Sequence, residues 1–164
     1  NIPFLGICLG LQSAVIEFAR NVCGIKNANS REVDNSCINA VIDIMADQKS
    51  NDNKGGTMRL GAYPCKIRQG TQTHEVYEGE DEVFERHRHR FEVNNAHIME
   101  FENYGMTFSG KSPDGNLVEI IELKDHPYFI GCQFHPEFLS RPHKPHPLFQ
   151  GLVKAAKQRI SSRT

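Results

Sequence analysis

Phe4-Leu5-Gly6-Ile7-Cys8-Leu9-Gly10-Leu11-Gln12 is the stretch on which the reading of this chain turns. An apolar run enters a cysteine that has a glycine two residues away on each side, and the residues after it carry helical periodicity. A strand that turns directly into a helix strains its junction residue, and small neighbours let the backbone cross itself while the junction side chain projects into a cleft. The pattern predicts a nucleophile elbow with Cys8 at its apex. The helix that begins next offers unpaired N–H groups, Leu9 first among them, which favour a thiolate and can hold a developing oxyanion.

The flanking pattern agrees with that junction. Residues 2–7 read as a buried strand, and residues 9–22 as a helix whose Leu11, Ala14, Val15, Phe18, Ala19 and Val22 recur at three- and four-residue steps before Gly24. Further on, 40–45, 58–68 and 83–93 read as strands, 47–53 as a polar loop, and 95–103 as a helix capped by Asn94. A meander of short strands at 106–110, 117–123 and 128–134 follows, with turns at Pro113-Asp114-Gly115-Asn116 and Asp125-His126-Pro127. A last helix is predicted over 148–159.

The third meander strand ends in Gly131-Cys132-Gln133-Phe134-His135-Pro136-Glu137. In extended backbone, residues two apart point to the same side, so Glu137 can orient His135 and stabilise its imidazolium. His135 can then take the Cys8 proton and return it to a leaving amine. The three residues make a candidate Cys-His-Glu triad.

With those residues in hand, the chain resembles the class I (triad-type) glutamine amidotransferases, which hydrolyse the amide of glutamine and pass ammonia to a synthetase. Three segments narrow the resemblance: Gly55-Gly56-Thr57-Met58-Arg59-Leu60-Gly61, Glu85 through Asn94, and His135 through Pro142 look like the glutaminase domain of the CTP synthase family. The resemblance implies an α/β fold, a three-layer, flavodoxin-like sheet carrying the elbow, with the family's N-terminal strands missing from this chain. It implies that residues 1–164 are a partial glutamine amidotransferase domain whose ATP-dependent amidoligase domain lies elsewhere in the same polypeptide. The chain opens on Asn1-Ile2-Pro3 with no initiator Met, so it is expected to be the C-terminal part of a longer protein. The implied activity is glutamine hydrolysis through a thioester, feeding amination of UTP to CTP. No cofactor is expected in this domain; Mg-ATP belongs to the amidoligase domain, and GTP is the implied allosteric activator.

Further site residues follow from the resemblance alone. Gln12, one helical turn beyond the nucleophile, and Glu32, which receives the substrate α-ammonium, match glutamine-binding positions. The backbone at Arg90-Phe91 matches the group that holds the α-carboxylate. Arg59 lies in the segment that in the family closes as a lid and takes part in GTP activation. A tetramer is the family's assembly.

Composition excludes several classes. Nineteen basic against 20 acidic residues leave no basic excess for nucleic acid, and no stretch approaches the length needed to cross a bilayer. Five cysteines without a C-x-x-C pair suit reduced thiols, and the chain is expected to be cytoplasmic. His87 and His89 alternate with Arg86, Arg88 and Arg90, which places the two residue types on opposite faces of a strand; no metal is expected there. The arginine face is expected to line either the synthetase interface or the effector site. The rival readings are the amidotransferase of another synthetase, a free γ-glutamyl hydrolase, and a non-catalytic amidotransferase-like regulatory domain.

Overall fold

The computed structural model describes residues 1–44 and 58–162; the loop predicted at 47–53 and Gly55-Gly56-Thr57 lie outside them. Strand β1 (Phe4–Ile7) runs into helix α1 (Leu9–Asn21) with Cys8 alone between them, as the elbow requires. After β2 (Asn29–Ser30) and β3 (Ala40–Ile44) come β4 (Arg59–Ile67), α2 (Gln72–Val76), β5 (Glu82–His89) and β6 (Phe91–Val93). Helix α3 (Ile98–Asn103) precedes β7 (Met106–Lys111), β8 (Val118–Leu123) and β9 (Phe129–Cys132), and α4 (Pro147–Ser161) closes the series.

These strands form a six-stranded sheet in the order β1-β9-β8-β7-β4-β5 and a three-stranded sheet in the order β2-β3-β6. In the larger sheet β1 pairs parallel with β9, and every other pairing is antiparallel. The sheet curls, so that its far strand returns toward the other edge: the His135 N–H, just beyond β9, donates to the Arg86 carbonyl of β5 at 2.8 Å. Cys8 and His135 therefore both emerge from the carboxyl ends of neighbouring parallel strands.

Strand β8 shows why the sheet must be covered on both faces. Ile121 belongs to a core with Leu11, Val15 and Phe18 of α1, Ile42 of β3 and Phe101 of α3. Its neighbour Ile120 points the other way, into a core with Ile130, Phe134, Tyr128 and Leu148 of α4. Helix α1 and the small sheet form one outer layer, and α2 with α4 the other, which is the three-layer α/β arrangement the sequence predicts.

Two of the departures from expectation have a clear physical reason. The stretch 83–93 is two strands, not one: β5 pairs with β4 as far as His89, and β6 pairs with β3 from Phe91 onward, so Arg90 is where the chain changes sheets. Helix α2 is not predicted by the sequence, because five residues show no period; Thr71 caps it, and the Glu122 carboxylate of β8 accepts the N–H groups of Gln72 and Thr73 at 3.1 and 2.9 Å.

Candidate active site

At the elbow Cys8 has φ 50° and ψ −102°, a left-handed conformation that costs a non-glycine residue on the order of 1–3 kcal/mol. Its N–H donates to the Cys132 carbonyl at 2.7 Å, extending the β1–β9 ladder by one residue and fixing the apex. Gly6 is what allows the crossing, since a Cβ there would lie 2.8 Å from the Gly10 carbonyl carbon and oxygen. Gly10 is different. A Cβ at Gly10 would meet nothing within 4 Å among the described residues, so only one of the two glycines is sterically required for this turn.

His135 Nδ1 lies 2.6 Å from Glu137 Oε1. The pair meets through a 3₁₀ turn over Pro136–Phe138, not through the extended backbone expected, because Pro136 starts that turn immediately after His135. A carboxylate can only accept, so Nδ1 carries the proton and Nε2 keeps its lone pair free for a thiol. The Phe138 ring stacks on the imidazole, with centroids 5.1 Å apart and planes 22° from parallel, which holds its orientation. Nothing in the sequence pattern singles out that ring.

In the resting site the helix N-terminus favours a thiolate as expected, but burial outweighs it. Burial pushes the Cys8 thiol above its ordinary value; the Leu9 N–H and the Gln133 amide pull it back, while Glu32 and Glu92 push it further up. Desolvation wins, so the thiol needs its base. Leu9 still presents its N–H at the sulfur, where it can serve as an oxyanion donor. Burial raises the Cys23, Cys65 and Cys132 thiols as well.

The remaining predicted site residues divide into those at the sulfur and those away from it. Gln12 is buried on α1, and its Nε2 donates to the Phe91 carbonyl at 3.0 Å and to Gln133 Oε1 at 3.3 Å. Glu32 is exposed beyond β2, its N–H on Ser30 Oγ, and close enough to act on Cys8. Arg90 is exposed at the junction of β5 and β6. Gln133, to which the sequence assigns no role, is fully buried, with its Nε2 3.6 Å from Cys8 Sγ. The only available signal was position: Gln133 lies two residues before His135 in the segment that leaves β9.

Arg59 requires a correction. The sequence placed it on a lid, with a surface arginine as the alternative, but it is the first residue of β4 and only 7% exposed. Its guanidinium lies 2.6 Å from Glu119 and 3.7 Å from Glu92, over the Tyr63 ring. Alternation along the strand turns it into the sheet's covered face, together with His87 and His89, whose ring nitrogens meet at 2.9 Å. The arginines Arg86, Arg88 and Arg90 face solvent, as alternation predicts. In this nest burial lowers His87 to about 2 and His89 to about 4, raises Glu119 to about 7 and holds Glu92 well above the carboxylate range.

A strained cysteine at a strand-to-helix turn, with a histidine–carboxylate pair leaving the adjacent parallel strand, is the arrangement of a triad-type cysteine site. The chain belongs to the class I glutamine amidotransferases, whose family pattern it matches over residues 1–155. It is 58% identical over 159 residues to the CTP synthase of Moorella thermoacetica and 62% identical over 155 residues to that of Caldanaerobacter subterraneus, covering 97% and 94% of this chain. It spans 29% of the length of each. Among solved structures, the CTPS glutaminase domain of Trypanosoma brucei with bound acivicin superposes with a TM-score of 0.90 at 35% identity, covering 95% of this chain and 60% of that one. A putative GMP synthase component from Thermoplasma acidophilum, 17% identical with a TM-score of 0.62 over 99% of this chain and 61% of the other, shares the fold. Among the described residues, no helix is long and apolar enough to cross a membrane.

Proposed function

We propose that this chain is the glutaminase part of a CTP-forming enzyme. The observation that carries the reading is the convergence of Cys8, at φ 50°, with the His135–Glu137 pair at the ends of two hydrogen-bonded parallel strands. His135 Nε2 takes the Sγ proton as sulfur attacks the side-chain carboxamide of glutamine, and the Leu9 N–H holds the tetrahedral oxyanion. The same proton goes to the departing nitrogen, and ammonia leaves. Water, deprotonated by His135, then attacks the thioester carbon; glutamate is released and Cys8 is regenerated. Gln12, Glu32 and the backbone at Arg90-Phe91 bind the substrate in this reading, Glu32 taking the α-ammonium as a charge-assisted contact.

The names of the relatives at 58% and 62% identity support the wider role: ammonia passes to an amidoligase domain of the same polypeptide, which aminates UTP using Mg-ATP, with GTP as activator. The assembly is a homo-oligomer, a tetramer, in the cytoplasm. The test is made on the full-length protein that carries this chain. Cys8→Ala should abolish CTP formation from glutamine and leave formation from added ammonia intact; loss of both in a folded variant would overturn the division of labour.

A further inference from the structure

Gln133 brings its polar end to the reacting sulfur, and the hydrogen bonds behind it decide which end that is. The Phe91 carbonyl can only accept, so the Gln12 group 3.0 Å from it is the amide nitrogen. That same nitrogen lies 3.3 Å from the Gln133 side chain, which must therefore turn its oxygen toward Gln12. The Gln133 nitrogen is then left facing Cys8 Sγ, at 3.6 Å. Flipping Gln133 alone would set two NH₂ groups against each other, and flipping both would set the Gln12 oxygen against the Phe91 oxygen. The orientation is thus dictated by one backbone carbonyl.

That carbonyl is itself pinned. It belongs to β6, and His89 Nδ1 lies 3.3 Å from it, a contact that only an Nδ1–H tautomer satisfies. His89 Nε2 then carries a lone pair and accepts from His87 Nδ1 at 2.9 Å. The backbone N–H of Gln133 donates to the Glu119 carbonyl of β8 at 2.8 Å, so neither end of the residue is free to swing. A completely buried amide whose nitrogen lacked a partner would cost about 1–3 kcal/mol, and here the sulfur supplies that partner.

We propose that Gln133 is a catalytic residue whose side-chain amide donates to the Cys8 sulfur and holds the thiolate both as it forms and as it leaves the thioester, with Gln12 and the Phe91 carbonyl as positioning groups. This rests on the glutaminase reading. The need is physical: once His135 has taken the proton, the sulfur is a half-buried anion stripped of water, with the Glu32 carboxylate acting against it. Leu9 and Gln133 provide the opposing donors, and when Leu9 turns to the substrate oxyanion, Gln133 remains with the sulfur. Hydrogen bonds to charged groups are the stronger kind, so this contact gains on ionisation and weakens on acylation.

The test uses the full-length protein and follows alkylation of Cys8 by iodoacetamide against pH, with the adduct mapped by mass spectrometry. Gln133→Met keeps the volume and removes the donor. By the worth of a hydrogen bond to a charged group, its alkylation midpoint should rise by about one pH unit and its glutaminase kcat fall about tenfold. Gln12→Met leaves Gln133 in place but frees its amide to turn, so it should shift the midpoint the same way by less, and it carries the test if Gln133→Met does not fold. A folded variant with the parent's midpoint would overturn the role of Gln133. The reading it rests on fails separately, if Cys8→Ala still hydrolyses glutamine, because the alkylation midpoint is measured without substrate.

Discussion

The His135–Glu137 pair and the nest around Arg59 both join histidines to carboxylates on the same curled sheet, yet they are built in opposite ways. Glu137 is 45% exposed on its side chain and His135 20%; the two residues lie two apart in sequence and meet through one 3₁₀ turn. The nest draws Arg59 from β4, His87 and His89 from β5, Glu92 from β6 and Glu119 from β8, all buried. Solvent screens the first pair, which leaves it little part in stability. In the second, each charge has been stripped of water, so each depends on its partners staying in place.

That contrast is broken most severely at the exposed pair. His135→Ala should lower glutamine hydrolysis by about 10²–10⁴, the usual worth of a general base, while thermal unfolding of the full-length protein stays near the parent's. A large fall in stability with it would mean that the pair is structural after all.

The nest should answer the other way. At pH 8, where Glu119 is ionised, Arg59→Leu leaves that buried carboxylate without its cation, and breaking a buried pair costs about 3–5 kcal/mol. Hydrogen exchange of β4 and β8 amides reads that loss locally inside a larger protein. Unchanged protection at that pH would show that the Glu119 carboxylate does not need the guanidinium.

How far the sequence could be read follows the same division. Cys8, His135 and Glu137 were legible because their geometry is made by neighbours in the chain: a strand-to-helix junction in one case, a two-residue spacing in the other. The alternation of His87 and His89 with Arg86, Arg88 and Arg90 was legible for the same reason. Arg59 was misplaced because its burial depends on Glu119, sixty positions away, and no local pattern announces a partner at that distance. The break at Arg90 was missed because both halves of 83–93 have strand composition, and only the pairing partners, β4 and then β3, differ.

The elbow itself can be sharpened by separating its glycines. Gly6→Ala would push a methyl to 2.8 Å from the Gly10 backbone, so it should destabilise by about 1–3 kcal/mol or shift the apex and lower kcat. Gly10→Ala places its methyl in open space on a helix and should instead stabilise by roughly 0.5–1 kcal/mol. Equal losses at both positions, measured by thermal unfolding, would restore a steric role to the second glycine.

A further comparison separates the two clusters by pH. Burial raises folded Glu119 from 4.5 to about 7, so between those values the folded state holds a proton that the unfolded state has released, and stability falls as pH rises through that window. His87 and His89 act in the opposite sense: lowered from 6.5 to about 2 and about 4, they make the fold lose stability as pH drops below 6.5. From 4.5 to 6.5 the carboxylates and the histidines oppose each other. Above 6.5 the histidines are neutral in both states, and the carboxylates alone set the slope. Glu119→Gln removes that proton without changing shape, so relative to the parent it should gain about 1 kcal/mol on going from pH 6 to pH 8, by the linkage of one carboxyl titrating near 7. If Glu119→Gln and the parent gave parallel stability profiles between pH 6 and 8, the Arg59 nest would be well solvated, and its burial would have no energetic consequence.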